Sequence, residues 1–312
     1  MPARLFTFVQ MELPWELGPA DGRYLLRKSA GTDGNEPEHV VVLSTIGAER
    51  RGMLGRRSRT RRTDPEPAAV PVARATVVDP VPLALETQAS AWLAQLDPDR
   101  EAHAAARVLN RVLYAHRIAG AAHHIHEISP AQALVVRAGF GEGEQVADGL
   151  WSDARELVLS RRHAGKRASV LRPQERLARL LSGREGALLC EELTLRARLD
   201  LDQARLELAA IELDRAYAAA LRELADEQRP DMRARIEELR ELRAGVAASA
   251  GVDTSTGTGA DQGVDRPPGA GANTGMAASA RADPPDERTV RQALERLEAA
   301  LRARTATGFG AS

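Results

Sequence analysis

Cysteine and long apolar runs are nearly absent from this sequence. Only one of its 312 residues is cysteine, so no disulfide forms within the chain, which suits a reducing compartment. No run of 18 apolar residues occurs, which excludes a helix that spans a bilayer. The short apolar stretch that follows Arg4 ends at Glu12 and is too brief for a secretory signal peptide. We therefore expect a cytoplasmic protein with no membrane partner.

Lysine and aromatic residues are also scarce. Only Lys28 and Lys166 among the 43 basic residues are lysine, a bias typical of a bacterial genome rich in G and C. Eight of the ten aromatic residues lie before residue 152, and only Tyr217 and Phe309 follow. Because aromatic side chains bury the most area per residue, we expect the compact core to end near residue 182.

Residues 1–85 have the pattern of β-strands, and residues 1–97 are expected to form a β-rich domain. Apolar and polar residues alternate over 5–13, and shorter strand patterns follow at 22–27, 40–46 and 70–78. No helical pattern separates these segments, so a small antiparallel sheet of about four strands is favoured over a parallel one. Glu12 and Glu16 flank the Pro14–Trp15 pair and form a possible site, although an exposed strand end explains them more simply.

The periodicity becomes helical from residue 86. Asp97 and Pro98 are typical of a helix start, and residues 98–182 are expected to form a helical domain that shares the core of the sheet. Ser129-Pro-Ala-Gln132 has the form of a capping box and predicts a second helix. A third is predicted after Gly143, because Val146, Leu150 and Leu157 follow at helical spacing.

The rest of the chain predicts long helices around a linker. Residues 187–250 are expected to form a long helix, with two nearly opposite apolar stripes, and a return helix. Residues 251–285 are rich in glycine and proline and predict a disordered linker, and residues 286–312 predict a terminal amphipathic helix and a tail. The fold class is therefore α+β: a small N-terminal antiparallel sheet packed with a helical domain, then a long helix or helical hairpin, the linker and the terminal helix.

Two sequence features are candidate ligand-binding sites in the first half of the chain. The histidine-rich segment 116–126 includes His116 and His123, and the segment 138–143 holds Gly139, Gly141 and Gly143. Closely spaced glycines allow backbone N–H groups to approach a phosphate, and histidine can bind a metal or act as a base. No complete nucleotide or metal motif is present, so a tight structural turn and a histidine-rich helix end remain open, as does a helix-turn-helix. No catalytic residue, metal ligand or cofactor is assigned.

An arginine-rich segment at 49–62 is a candidate site for a polyanion. Its spacing suits phosphate binding, yet the chain has a net charge of −1 and the segment has no aromatic residue to stack on a base. A solvated loop between two strands is the alternative, and nucleic-acid binding is not favoured. The arginines are Arg50, Arg51, Arg56, Arg57, Arg59, Arg61 and Arg62.

The helical patterns favour an interaction or scaffold protein that associates with itself or with a protein partner. The long helix has two apolar faces to cover, and a tethered terminal helix is a natural docking element. On this hypothesis, deletion of residues 286–312 leaves folding intact and weakens association. An enzyme or a nucleotide or metal binder that uses the histidines and glycines is the alternative, and polyanion binding is a further one. Cys190 is an unpromising nucleophile, because Glu191 and Glu192 raise its pKa.

Overall fold

The chain divides into two compact units in a computed structural model. Residues Met1–Arg161 form the sheet unit, and residues Arg162–Ser312 form the helical unit. The structure describes residues 4–27, 37–47, 70–160, 173–250 and 285–307. The arginine-rich segment 49–62 lies outside the described residues, and so does the predicted linker apart from residue 285.

The sheet unit is built on six antiparallel strands. The four strands expected from the N-terminal pattern are all present, and two more come from the region predicted to be helical. The strand order is β2-β3-β4-β1-β5-β6, so the first strand is central. The strands are β1 (Leu5–Leu13), β2 (Gly22–Leu26), β3 (His39–Ile46), β4 (Val72–Val78), β5 (Val135–Glu142) and β6 (Asp153–Glu156).

The strand alternation sends neighbouring residues of β1 to opposite faces of the sheet. Val9, Met11 and Leu13 belong to the core that the sheet forms with α1 (Glu86–Gln95) and α2 (Pro98–Ala119). We call the face covered by these helices the inner face. Asp97 caps α2 as predicted, because its Oδ1 accepts a hydrogen bond from the backbone N–H of Arg100 at 3.1 Å.

The prediction of two α-helices after residue 129 is wrong. The Ser129 capping box does form, but it closes only a 3-10 turn at Pro130–Gln132, and β5 follows. The segment after Gly143 is a 3-10 helix (Gly143–Asp148) that leads to β6. Pairing of β5 with β1 satisfies the backbone of a glycine-rich segment that is a poor helix former. The described part of residues 98–182 is therefore a mixture of helix and strand.

The helical unit contains five helices in its described residues. They are α3 (Pro173–Leu181), α4 (Leu189–Asp202), α5 (Leu206–Glu223), α6 (Pro230–Ser249) and α7 (Glu287–Thr307). The apolar pattern that predicted one long helix before the return helix forms two helices, α4 and α5, and the predicted return helix is α6. The helix is interrupted at Ala204, which adopts a left-handed φ of 58°. None of the described helices has the length and hydropathy needed to cross a membrane.

The terminal helix α7 is part of the helical core. Asp286 caps it, accepting a hydrogen bond from the backbone N–H of Thr289 at 3.0 Å. Leu294 and Leu297 are fully buried among residues of α4, α5 and α6. The expectation that the compact core ends near residue 182 is therefore wrong, because a second core extends to Leu301. Deletion of residues 286–312 would open this core, contrary to the expectation that folding stays intact.

Truncation of a buried leucine in α7 tests this packing. We expect Leu297→Ala to lower the free energy of unfolding of the helical unit by about 2–5 kcal/mol, because it leaves a cavity in the core. Leu181→Ala is the matched control, since Leu181 is 79% exposed, and we expect a change within about 0.5 kcal/mol. Urea unfolding followed by circular dichroism at 222 nm measures both variants. Equal losses would show that α7 does not contribute to the core.

Candidate functional site

The glycines singled out in the sequence are packing positions of the sheet. Gly139 and Gly141 are buried in β5, and a Cβ on Gly139 would overlap the carbonyl oxygen of Asp153. A Cβ on Gly141 would lie 2.8 Å from Val146 and 2.9 Å from the Cα of Trp151. These glycines therefore allow β6 and the 3-10 segment to approach β5 closely. Gly143 starts the 3-10 helix with a φ of 64°.

The histidines lie elsewhere. His116 is half-buried in the last turn of α2, whereas His123 is exposed in the turn that follows and contacts the ring of His124. Helix α2 covers the inner face of the sheet, and the segment over Gly139 and Gly141 covers the outer face. The sheet therefore separates His116 from that segment, and ligand binding by these residues stays a prediction. No group of three or more His, Cys, Asp or Glu side chains among the described residues could hold a metal ion.

Substitution of Gly139 tests its packing function. We expect Gly139→Ala to destabilise the sheet unit by about 1–3 kcal/mol, because the added methyl overlaps β6 backbone. Gly120→Ala at the exposed end of α2 is the control, and it should change stability by less than about 1 kcal/mol. All three tryptophans lie in the sheet unit, so urea unfolding followed by tryptophan fluorescence reports on that unit alone. No loss in the Gly139 variant would contradict the close approach of β6.

A charged cluster lies on the outer face of the sheet. Arg74 Nη2 and Arg137 Nη1 both donate to Glu12 Oε1, at 3.0 and 2.9 Å. Burial alone would raise the pKa of Glu12, but the two guanidinium groups outweigh burial and lower it below its usual 4.5. The carboxylate is therefore charged at neutral pH and holds β4 and β5 to β1. Glu12 stands out in the sequence, but its two arginine partners do not, because the residue pattern does not fix strand register.

A buried polar pair continues this outer face. Gln10 Nε2 donates to Thr76 Oγ1 at 2.9 Å and to the backbone oxygen of Ala147 at 3.4 Å. The Gln10 Oε1 atom and the Nε of Arg74 are buried and have no hydrogen-bond partner among the described residues. A buried N–H or C=O without a partner costs about 1–3 kcal/mol, so this part of the face has unused hydrogen-bonding capacity.

Removal of the Glu12 charge should make stability less dependent on pH. A lowered folded-state pKa stabilises the fold above the unfolded value, and this contribution is lost as pH falls through the folded value. We expect Glu12→Gln to be less stable than the parent at pH 7, with the difference shrinking below pH 4.5. Urea unfolding by tryptophan fluorescence at pH 7 and at acid pH measures it. Glu142→Gln, which replaces an exposed residue at the end of β5, should leave stability unchanged at both pH values. An equal loss of stability at both pH values in the Glu12 variant would contradict the ion pairs of Glu12 with Arg74 and Arg137.

A cavity of about 520 Å³ lies at the end of the sheet where β3 ends and β4 begins. Residues 16–21, which join β1 to β2, form one wall, and residues of β3 and β4 form the other. Glu16, Asp21, Ser44 and Arg74 supply its polar side chains, and Leu17, Leu43 and Ala73 are its buried apolar lining. The dimensions and this mixed lining are those of a small-molecule site.

The loop wall of this cavity is held at three points. Gly18 has a φ of 104° and packs so closely that a Cβ there would overlap Ile125. The Tyr24 hydroxyl donates to the backbone oxygen of Ala20 at 2.5 Å. Asp21 accepts from the backbone N–H and the hydroxyl of Thr45, at 2.9 and 2.8 Å. The cavity is therefore preformed, and a ligand does not have to order its wall.

A second concave surface, of about 800 Å³, lies in the helical unit between α3, α4 and α7. We call it the helical groove. Leu195 and Leu301 supply its apolar side chains. Thr194 and Thr305 also line it, and their hydroxyls donate to carbonyl oxygens of their own helices, so neither needs a partner in the groove. The charged rim consists of Arg176, Arg198, Arg302, Glu191, Glu295 and Glu298.

Cys190 lies at the buried start of α4 and is not a reactive thiol. Glu223 of α5 accepts hydrogen bonds from the backbone N–H groups of Leu189 and Cys190, both at 3.0 Å. Burial, followed by the nearby Glu223 and Glu191, raises the pKa of Cys190 to about 12. The expected direction of this shift is confirmed, although its main causes are burial and a glutamate of another helix.

Comparisons with known proteins gave no match to a family model, a curated protein or a solved structure.

Proposed function

We propose that the chain is a cytoplasmic interaction protein that binds a second copy of itself along α4. The observation that carries the proposal is a pair of uncovered leucines, Leu195 and Leu199, which are 67% and 40% exposed. They lie one helical turn apart, so their side chains are neighbours on the same face of α4. Leu195 also belongs to the helical groove, which makes the apolar surface continuous with a concave one.

The charges of the helical groove favour a partner that is itself nearly neutral. Three arginines and three glutamates line the rim, and they form ion pairs such as Arg198 with Glu298 at 2.7 Å and Arg176 with Glu191 at 2.7 Å. A strongly acidic or basic partner gains no net attraction from a balanced rim. An amphipathic helix with a leucine stripe and charges of both signs matches it.

Helix α4 itself has that chemistry. Its exposed residues include Leu195 and Leu199 together with Glu192, Arg196 and Asp202. In a two-fold contact the same patch serves both copies, so residue i of one copy meets residue j of the other and j meets i. The exposed leucines and the charges of both signs therefore serve both copies of such a contact.

Helix α7 supports this surface from the side. Glu298, Leu301 and Arg302 of α7 form one wall of the helical groove, and Glu298 pairs with Arg198 of α4. Its apolar face is already used within the same chain. We propose that α7 contributes to association by shaping the groove beside α4, while the exposed leucines of α4 make the contact.

Charges placed on the leucine pair should abolish self-association. We expect the parent chain to shift from the monomer mass to twice that mass as concentration rises, and the Leu195→Glu/Leu199→Glu variant to stay monomeric. Sedimentation equilibrium over a dilution series measures the mass. Leu134→Glu is the matched control, because Leu134 is an exposed leucine of the sheet unit, and its variant should associate like the parent. A parent chain that is monomeric at every concentration contradicts the proposal.

A further inference from the structure

We infer that the cavity at the end of the sheet binds a small zwitterion, and that its simplest ligand is an α-amino acid with a short apolar side chain. The inference concerns the sheet unit and does not depend on self-association of the helical unit. It starts from a preformed cavity of about 520 Å³ whose polar side chains carry both signs of charge.

The acidic wall of the cavity suits an ammonium group. Glu16 and Asp21 both line it, and neither forms an ion pair with any residue that the structure describes. Asp21 uses its oxygens to hold Thr45, but a carboxylate has about four lone-pair sites and can accept more than two hydrogen bonds. An ammonium ion offers three donors in a compact group and can therefore bind to both carboxylates.

The opposite wall suits a carboxylate. Arg74 lines the cavity, and its guanidinium uses Nη2 for Glu12 while its Nε–H has no acceptor among the described residues. Ser44 lies directly opposite Arg74 in the β3–β4 register and also lines the cavity. A guanidinium and a hydroxyl provide charge-assisted and neutral donors for a carboxylate. Glu12, which Arg137 also binds, holds Arg74 in place.

The body of the ligand is limited by what lies between these walls. Leu17, Leu43 and Ala73 are buried residues that also line the cavity. Their apolar surface is small and favours a short aliphatic group over a polar or bulky one. A molecule with an ammonium group, a carboxylate and a short aliphatic side chain satisfies all three parts of the lining at once.

Calorimetric titration of the full chain with L-valine and two analogues tests the assignment. 3-Methylbutanoate is valine without its ammonium group, and 2-methylpropan-1-amine is valine without its carboxylate. We expect L-valine to bind and to raise the Tm of the tryptophan-monitored transition, and each analogue to bind at least about tenfold more weakly. Analogues that bind as well as valine, or a chain that binds none of the three, would overturn the zwitterion assignment.

Two variants locate the binding within the cavity. Glu16→Gln removes an exposed carboxylate that has no ionic partner among the described residues, so the fold should be unchanged while valine binds about tenfold more weakly. Arg74→Lys keeps a positive charge beside Glu12 but loses the planar guanidinium group. It should weaken the binding of valine and leave the binding of 2-methylpropan-1-amine unchanged. Glu142→Gln is the control and should bind like the parent. Valine binding that is unchanged in both cavity variants would overturn the site.

Discussion

The alternation of β1 is the constraint on which the sheet unit depends. This strand pairs with β4 along one edge and with β5 along the other, so its odd residues build the helix-covered core and its even residues build the outer face. A shift of one residue would move Gln10 and Glu12 into the apolar core and turn Val9 and Met11 outward. The polar residues of the outer face and the apolar residues of the core therefore favour the same register of β1. The position of Arg74 in the cavity depends on the same register, because Glu12 of β1 holds the Arg74 side chain.

Local signals in the sequence predicted local structure well. The alternation of 5–13 and the Asp97 cap both depend on residues within a few positions of each other, and both are found. Strand β5 was missed because a true capping box precedes it, while the interaction that makes it a strand lies with β1, more than 120 residues away. The candidate site was found only in part for the same reason. Glu12 and Glu16 stand out beside Pro14, but nothing in the sequence brings Arg74 to them.

The helical unit shows how one turn changes which surface is available. The two apolar stripes of the sequence predict two faces that other helices must cover. The interruption at Ala204 could not be predicted, because no glycine or proline marks it in the sequence. Folding into a hairpin lets α4 and α5 cover one another, and α7 covers much of the remainder. Leu195 and Leu199 of α4 are among the leucines that stay exposed in the described helices, together with Leu189 of the same helix and Leu208 of α5. The apolar surface that we propose for association is thus smaller than the one that a two-faced helix would offer.

The strand order also has a consequence for the way the chain emerges from the ribosome. The central strand is made first, but Gln10 lies opposite Thr76 and Arg137, so both of its edges stay unpaired until residues 66 and 127 positions later have been synthesised. Such distant pairings form slowly, and an apolar strand with free edges is prone to aggregate meanwhile. The α4–α5 hairpin, by contrast, closes through a turn of three residues. We therefore expect the sheet unit, made first, to be the part of the nascent chain that most needs protection by chaperones.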